Sequence, residues 1–328
     1  MMFALIVGFL FLAAIGGLLV RFAYAEGDYT LLSKGRAKRE IVEGKVVWIT
    51  GASRGIGELL AEQFAGLGAK LIISSRNIAE LERVKLEIIG KHPGTSIEIL
   101  PLDLASDEES LKDAVQKAES LFCGSGVNFM VHNAAFERPK RKALEETEEG
   151  LQATFKVNVL GTLTLTKLLA PFMLLRGGGH FTLMSSAAGK CPAPGQAIYA
   201  ASKHALNGYF HTLRSELCQK GIKVTVVCPG PIKTSKASGA GSSSKIDSER
   251  RVSLERCAEL TIVAATHGLK EAWISSQPVL MIMYLVQYLP TVGFWVMDKI
   301  GANRLEAVET KDSAYSWNLL LRRKKKAA

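Results

Sequence analysis

From Lys45 onward, short runs of apolar residues alternate with longer stretches in which apolar positions recur every three or four residues. A continuous apolar run suits a strand buried on both faces, and the wider spacing suits a helix with one buried stripe. Strands are predicted at 45–50, 70–74, 96–100, 129–132, 180–184, 223–228 and 271–275. Helices are predicted between them, at 108–121, 151–175 and 197–220 and from Leu59 to Leu67. Such alternation builds a parallel sheet covered by helices on both faces. The predicted fold is therefore α/β, a doubly wound parallel sheet of about seven strands, with no internal repeat and no second catalytic domain.

Three stretches fall outside that pattern. Residues 1–20 carry no charge, and at 1.5 Å per residue they span about 30 Å, the thickness of a bilayer core. Residues 278–297 form a second apolar run broken by Gln287 and Pro290. This run is expected to be an interfacial hairpin or a wall of the substrate path, in contact with the membrane over 279–296, rather than a spanning helix. Residues 236–248 are rich in Ser and Gly and read as a mobile loop, either a substrate lid or a plain linker. The predicted organisation is an anchor at 1–22, a basic linker at 23–44, the main domain at 45–277, and an apolar contact segment with a basic tail at 278–328.

The net charge of +10 changes the picture only through its placement. Thirteen basic residues lie in three stretches free of acids: Lys34 to Arg39, Arg138 to Lys142, and Arg322 to Lys326. Setting these aside leaves 28 basic residues against 31 acidic ones. The excess is clustered, two clusters flank apolar segments, and both suit an anionic leaflet rather than nucleic acid. No basic residue precedes the anchor and several follow it, which places the main domain on the cytosolic side. A cleaved signal peptide is the competing reading, since Ala23-Tyr24-Ala25 resembles a cleavage site. The uncharged start and the absence of any Asn-x-Ser/Thr site favour the anchor. The ending Lys325-Lys326-Ala327-Ala328 looks like a dilysine signal for the endoplasmic reticulum membrane. Five cysteines without Cys-x-x-Cys or zinc spacing predict reduced thiols and no metal.

Two local arrangements carry chemistry. Thr50-Gly51-Ala52-Ser53-Arg54-Gly55-Ile56-Gly57 lies between a predicted strand and a predicted helix, the context in which a Gly-rich turn presents a helix N-terminus to a pyrophosphate. Tyr199 and Lys203 stand four apart on one predicted helix face, with Ser186 thirteen residues before the Tyr. An ammonium about 4 Å from a phenol, at a dielectric near 20, favours the phenolate by about 4 kcal/mol. That is enough to bring a phenol from its usual value near 10 toward neutrality, where general acid–base catalysis works best. His204 points about 100° away from Lys203 on the helix and reads as structural.

Together these arrangements resemble the short-chain dehydrogenase/reductase family, and further matches follow in order along 45–275. Asp103 in Leu102-Asp103-Leu104 matches the residue that meets the adenine ring. His132-Asn133-Ala134-Ala135 matches the family's Asn-Asn-Ala-Gly with two departures, His132 and Ala135. Asn158 matches a fourth catalytic residue, and Pro229-Gly230-Pro231-Ile232-Lys233-Thr234 matches the loop that holds the nicotinamide carboxamide. Blocks at 254–258, 270–278 and 284–291 extend the likeness to one branch of that family.

The resemblance implies a Rossmann-type sheet with Asn158, Ser186, Tyr199 and Lys203 as catalytic residues. It implies cofactor contacts from Gly51, Ser53, Arg54, Gly55, Ile56, Gly57, Arg76, Asp103, Leu104, Asn133, Tyr199, Lys203, Pro229, Gly230, Ile232 and Thr234. Ser75 stands where an NAD enzyme presents an acid, with Arg76 beside it and Arg54 in the Gly loop, so the expected cofactor is NADP(H). The expected activity is carbonyl–secondary alcohol interconversion on a lipophilic substrate such as a steroid or retinoid. Alternatives are a 3-ketoacyl-thioester reductase and a vestigial nucleotide-binding membrane scaffold; a homodimer is compatible with all three.

Overall fold

The computed structural model describes residues 2–233 and 251–309. Thr234, the 236–248 stretch and the terminal Lys325-Lys326 lie outside the described residues. The chain opens with the apolar helix α1 (Met2–Ala23), of which the 5–23 span has no buried residue. Two one-turn helices follow, α2 (Tyr29–Leu32) and α3 (Arg39–Val42). The alternation then runs β1 (Val46–Thr50), α4 (Gly55–Gly66), β2 (Lys70–Ser74), α5 (Ile78–Lys91), β3 (Ile97–Ile99), α6 (Glu108–Gly124) and β4 (Phe129–His132). It continues through α7 (Glu148–Phe155), α8 (Thr162–Leu175), β5 (Gly179–Met184), α9 (Ala197–Leu217) and β6 (Ile222–Pro229). Last come β7 (Ile232–Lys233), β8 (Val252–Ser253), α10 (Leu254–Thr266), β9 (Glu271–Ile274), α11 (Val279–Tyr288) and α12 (Pro290–Glu309).

Seven strands form one parallel sheet in the order β3-β2-β1-β4-β5-β6-β9. The pleat sends Val46 and Trp48 to one face, where they pack with Met130, Phe181 and Val224. Val47 and Ile49 point to the other, against Leu71, Ile73 and Val131. Helices α6, α8 and α9 cover the first face, and α4, α5 and α10 the second. Side chains fix where several helices begin: Asn77, Asp107, Thr147 and Ser253 each cap the first turn of the helix that follows. The order reverses between β1 and β4, so a crevice opens at the carboxyl ends of those strands, where open α/β sheets bind ligands.

Three regions differ from a plain reading of the periodicity. The 151–175 helix is divided by a π-helical turn, Lys156–Gly161, between α7 and α8. Within 23–44, expected as a basic linker, the chain docks onto the domain: Asp28 N–H donates to the Trp273 carbonyl at 2.9 Å, and Trp273 N–H donates to the Asp28 carboxylate at 2.6 Å. Leu31 and Val42 are fully buried; the Asp28 pairing and α2 cover the free edge of β9, while α3 packs on α10.

The 278–297 run folds as a helical hairpin. At 1.5 Å per residue the ten residues of α11 reach about 15 Å, half a bilayer core. Leu280, Ile282, Met283 and Val286 are buried in the domain, which limits the expected 279–296 membrane contact to the hairpin tip. Gly293 lets the two helices meet, because a Cβ there would stand 2.6 Å from Val286 Cα.

Candidate active site

The crevice is fastened by Thr50 and Asn133 at the switch point. The Thr50 hydroxyl accepts hydrogen bonds from the backbone N–H groups of Asn133 (3.1 Å) and Ala134 (3.2 Å), tying the end of β1 to that of β4. The Asn133 side-chain amide donates to the carbonyls of Thr50 (3.0 Å) and Gly51 (3.1 Å). Gly51 has φ +67°, and a Cβ there would press on Ala134 Cα at 2.8 Å. Gly55 opens α4 at φ +63° with open space where a Cβ would be, so its amide end is accessible to an anion. These features fit a dinucleotide pyrophosphate.

Arg54 and Arg76 are both exposed, one in the Gly loop and the other just past the end of β2. The two loops are joined where Ala52 N–H donates to the Ser74 carbonyl at 3.1 Å. Arg83 braces them by donating to the Ser53 carbonyl (3.2 Å) while pairing with Glu58 (2.8 Å). Asp103 accepts from Ala105 N–H at 3.0 Å, and Leu104 beside it is buried.

Across the switch point, β5 ends at Met184 and the chain turns through Ser185, Ser186 and a short 3-10 turn, Ala187–Gly189, toward α9. The Lys203 ammonium donates to the Met184 carbonyl at 2.8 Å and lies 5.5 Å from the centre of the Tyr199 ring. Burial pulls Lys203 down to about 8, against the opposing influence of Cys228 and Glu137. The neighbouring serines are used differently. Both border the cavity, but Ser185 donates to the Asn207 side chain at 2.6 Å, a buried bond that holds the turn, while the Ser186 hydroxyl accepts from Ala188 N–H at 3.1 Å.

Asn158 lies in the π-helical turn, fully buried, and does not line the cavity. Its carboxamide clamps both backbone groups of Phe136, accepting from N–H at 2.6 Å and donating to C=O at 3.0 Å, and reaches Ser202 at 3.2 Å. A regular helix advances 100° per residue, and the wider π turn resets that phase ahead of α8.

A cavity of about 370 Å³ brings Ile56, Asn133, Ser186, Tyr199, Lys203, Pro229, Gly230 and Ile232 to one space. The remaining expected cofactor residues, Gly51, Ser53, Arg54, Gly55, Gly57, Arg76, Asp103 and Leu104, belong to the Gly loop, the first turn of α4 and the segments that follow β2 and β3 rather than to its lining. The lining also includes Glu137, Gln196 and Arg304, none of which the sequence singled out, and apolar side chains from α11 and α12. Glu137 accepts from Gln196 at 2.6 Å. Glu137 lies four residues past Asn133 on irregular backbone, where spacing implies no contact, and Arg304 carries no local signal either.

His132, one of the two departures in the Asn133 motif, is a core residue. Burial pushes it down to about 3, so it is neutral, and it lies parallel to Phe181 at 6.0 Å. The Thr166 hydroxyl donates to the Thr162 carbonyl, so the His132 Nε2–H is the donor to Thr166 at 2.8 Å. His204 is exposed, and its Nδ1 meets the carbonyl of Ala200 at 2.9 Å, one turn back on the same helix.

Beneath the Ser186 turn, Glu271 joins three donors. Lys190 and His211 approach one carboxylate oxygen at 2.7 Å each, and the Trp273 indole donates to the other at 2.5 Å. Burial alone raises this carboxyl, but the His211, Lys190 and Trp273 contacts outweigh it and hold Glu271 at about 2. A depressed carboxyl stabilises the fold above its ordinary value near 4.5, and that stability is lost as pH falls toward 2. Glu271→Gln is therefore expected to cost about 3 kcal/mol at pH 7. In chemical denaturation, the gap between the two proteins should close as pH drops below 4.5. A gap that is constant with pH would assign the contribution to packing instead.

The sequence profile of the short chain dehydrogenase family matches residues 45–244. Dehydrogenase/reductase SDR family member 7 of Homo sapiens is 36% identical over 316 residues, covering 90% of this chain and 91% of its own. The Drosophila melanogaster dehydrogenase/reductase SDR family protein 7-like is 34% identical, over 84% of this chain and 86% of its own. Among solved structures, L-sorbose reductase from Gluconobacter frateurii, complexed with NADPH and L-sorbose, superposes with a TM-score of 0.65 at 25% identity. That match covers 73% of this chain and 97% of the reductase. With this sheet order, this Gly loop and a profile match over most of the chain, the protein belongs to the short-chain dehydrogenase/reductase family.

Proposed function

We propose that the protein is a membrane-anchored, NADP(H)-dependent oxidoreductase that interconverts a carbonyl and a secondary alcohol on a lipophilic substrate. The observation that carries this reading is the single cavity in which Ser186, Tyr199 and Lys203 meet the end of the Gly loop at Ile56 and the apolar wall of α11 and α12. The Gly51–Gly57 loop and Asn133 would hold the cofactor's pyrophosphate side, with Asp103 and Leu104 toward the adenine. Pro229, Gly230 and Ile232 would hold its nicotinamide end. NADPH supplies a hydride at the nicotinamide C4 when bound.

In the reducing direction, the Tyr199 phenol donates its proton to the carbonyl oxygen, and the Ser186 hydroxyl donates a hydrogen bond to that oxygen. Lys203, held at about 8, bears a positive charge beside the phenol at neutral pH and stabilises the phenolate left behind. Asn158 acts as a positioning residue by fixing Phe136 and Ser202, and the water that links Lys203 to solvent would lie beside it. Arg54 and Arg76 supply two cations for a ribose 2′-phosphate.

The test of the reading is consumption of NADPH by the membrane-bound protein against steroid, retinoid and 3-ketoacyl-thioester substrates. Turnover of one of these classes supports it, and inertness toward all of them with cofactor still bound favours the scaffold alternative. The apolar 5–23 span and the basic residues after it support a membrane anchor with the catalytic domain cytosolic, and the membrane proposed is that of the endoplasmic reticulum. Protease added to intact microsomes should then digest the catalytic domain. Protection until detergent is added would reverse the topology.

A further inference from the structure

The α11–α12 hairpin has two apolar faces with different partners. Its inner face supplies Val279, Ile282, Met297 and Ile300 to the wall of the catalytic cavity. Its tip is bare: Tyr288, Leu289, Val292, Phe294 and Trp295 are 69%, 56%, 46%, 47% and 56% exposed. No charged residue occurs from Val279 to Met297, and the first cation after it, Lys299, lies 3.6 Å over the Trp295 ring. A lysine folded back over a tryptophan at the edge of an apolar patch is an arrangement suited to the boundary between acyl chains and headgroups.

The anchor meets the same surface. The Phe22 ring, in the last turn of α1, packs edge-on against Tyr284 at 5.9 Å, and Gln277 donates to the Phe22 carbonyl at 3.0 Å. Tyr284 in turn contacts Trp273 at 5.0 Å and lies stacked on Tyr288 at 6.1 Å. Tyr288 follows Tyr284 by one helical turn, about 6 Å along α11. The bare tip therefore begins within one turn of the level at which α1 reaches the domain, and the aromatic cluster between them has the composition of an interfacial belt.

We propose that the hairpin tip inserts into the domain-side leaflet of the bilayer that α1 crosses and that the hairpin is the route by which lipophilic carbonyl compounds pass from the bilayer to the cavity. The occupant of the apolar tip is lipid, and the substrate class is membrane-partitioned rather than aqueous. The insertion rests on geometry alone, whereas the route also rests on the carbonyl-reducing reading above.

The test uses the full-length protein in phosphatidylcholine vesicles containing lipids brominated within the acyl chain. Comparison of tryptophan emission with that of Trp295→Phe isolates the Trp295 contribution. Loss of a bromine-quenched component in the variant is the expected result. Identical quenching in the two proteins would overturn the insertion, and a Trp295 shielded from both bromolipid and aqueous quencher would assign the tip to a second copy of the chain instead. The route is read separately, in Leu289→Ser/Val292→Ser/Phe294→Ser protein that α1 still holds in the vesicle. Its kcat/KM for a long-chain ketone confined to the bilayer should fall at least 10-fold, with that for a short water-soluble ketone unchanged within about 2-fold. An equal fall for both ketones would overturn the route. Absence of any ketone turnover in the unaltered protein would defeat the functional reading and the route, while bromolipid quenching would still decide the insertion.

Discussion

Tyr199→Phe is expected to lower turnover by roughly 10²–10⁴-fold, the usual contribution of a positioned general acid, while leaving NADPH affinity within a few-fold. The ring stays, so its packing against the Lys203 side of the cavity stays, and only the transferable proton is removed. In the unaltered protein the rate of reduction should decline as pH rises through about 8, where Lys203 loses the charge that stabilises the phenolate. Steady-state kinetics combined with a direct binding titration checks both parts. Substantial residual turnover in Tyr199→Phe would remove Tyr199 from the reaction, and a parallel collapse of NADPH binding would show that the substitution had damaged the crevice.

The second large effect concerns the cofactor. Arg54 and Arg76 are exposed at the ends of adjacent parallel strands, where β1 and β2 run in register from Val46 opposite Lys70 to Thr50 opposite Ser74. Hydrogen bonds to a charged group contribute about 1.5–3 kcal/mol each, so losing both should weaken NADPH by roughly 10²–10⁴-fold. In Arg54→Ala/Arg76→Asp the new carboxylate stands where a ribose 2′-hydroxyl finds its acceptor, so NAD(H) should gain as NADP(H) loses. The measurement is the ratio of kcat/KM for the two cofactors in both proteins. Equal use of the two cofactors by the unaltered protein would contradict the assignment.

The sheet was legible because its evidence is local. Each strand is a short apolar run bounded by polar residues, and 70–74 and 129–132 coincide with β2 and β4 to the residue. What escaped is set by contacts between distant positions. The docking of Asp28 on Trp273 joins residues 245 apart, and nothing in the composition of 23–44 announces it. The π turn at Lys156–Gly161 is invisible to a periodicity count, because one wide turn only shifts the phase of an otherwise helical pattern. The expected site residues were read from motifs, which record what meets a cofactor but not what walls a substrate. Glu137 and Gln196 come from loops, and Met297, Ile300 and Arg304 from α12; only the tertiary fold brings them beside Tyr199. The apolar run at 278–297 illustrates both limits: its hydrophobicity was plain, but which half is core and which half is bare depends on where α11 lies against the sheet domain.

The most direct test of carbonyl–alcohol interconversion is to follow the hydride itself. The full-length protein in vesicles is supplied with NADPH deuterated on the transferred face of C4 and a bilayer-partitioned ketone, and the product is analysed by mass spectrometry. One deuterium on the carbinol carbon, delivered at least roughly 10²-fold more slowly by Tyr199→Phe protein under the same conditions, is the predicted result. Alcohol formed without deuterium, or equal labelling by both proteins, would contradict the account.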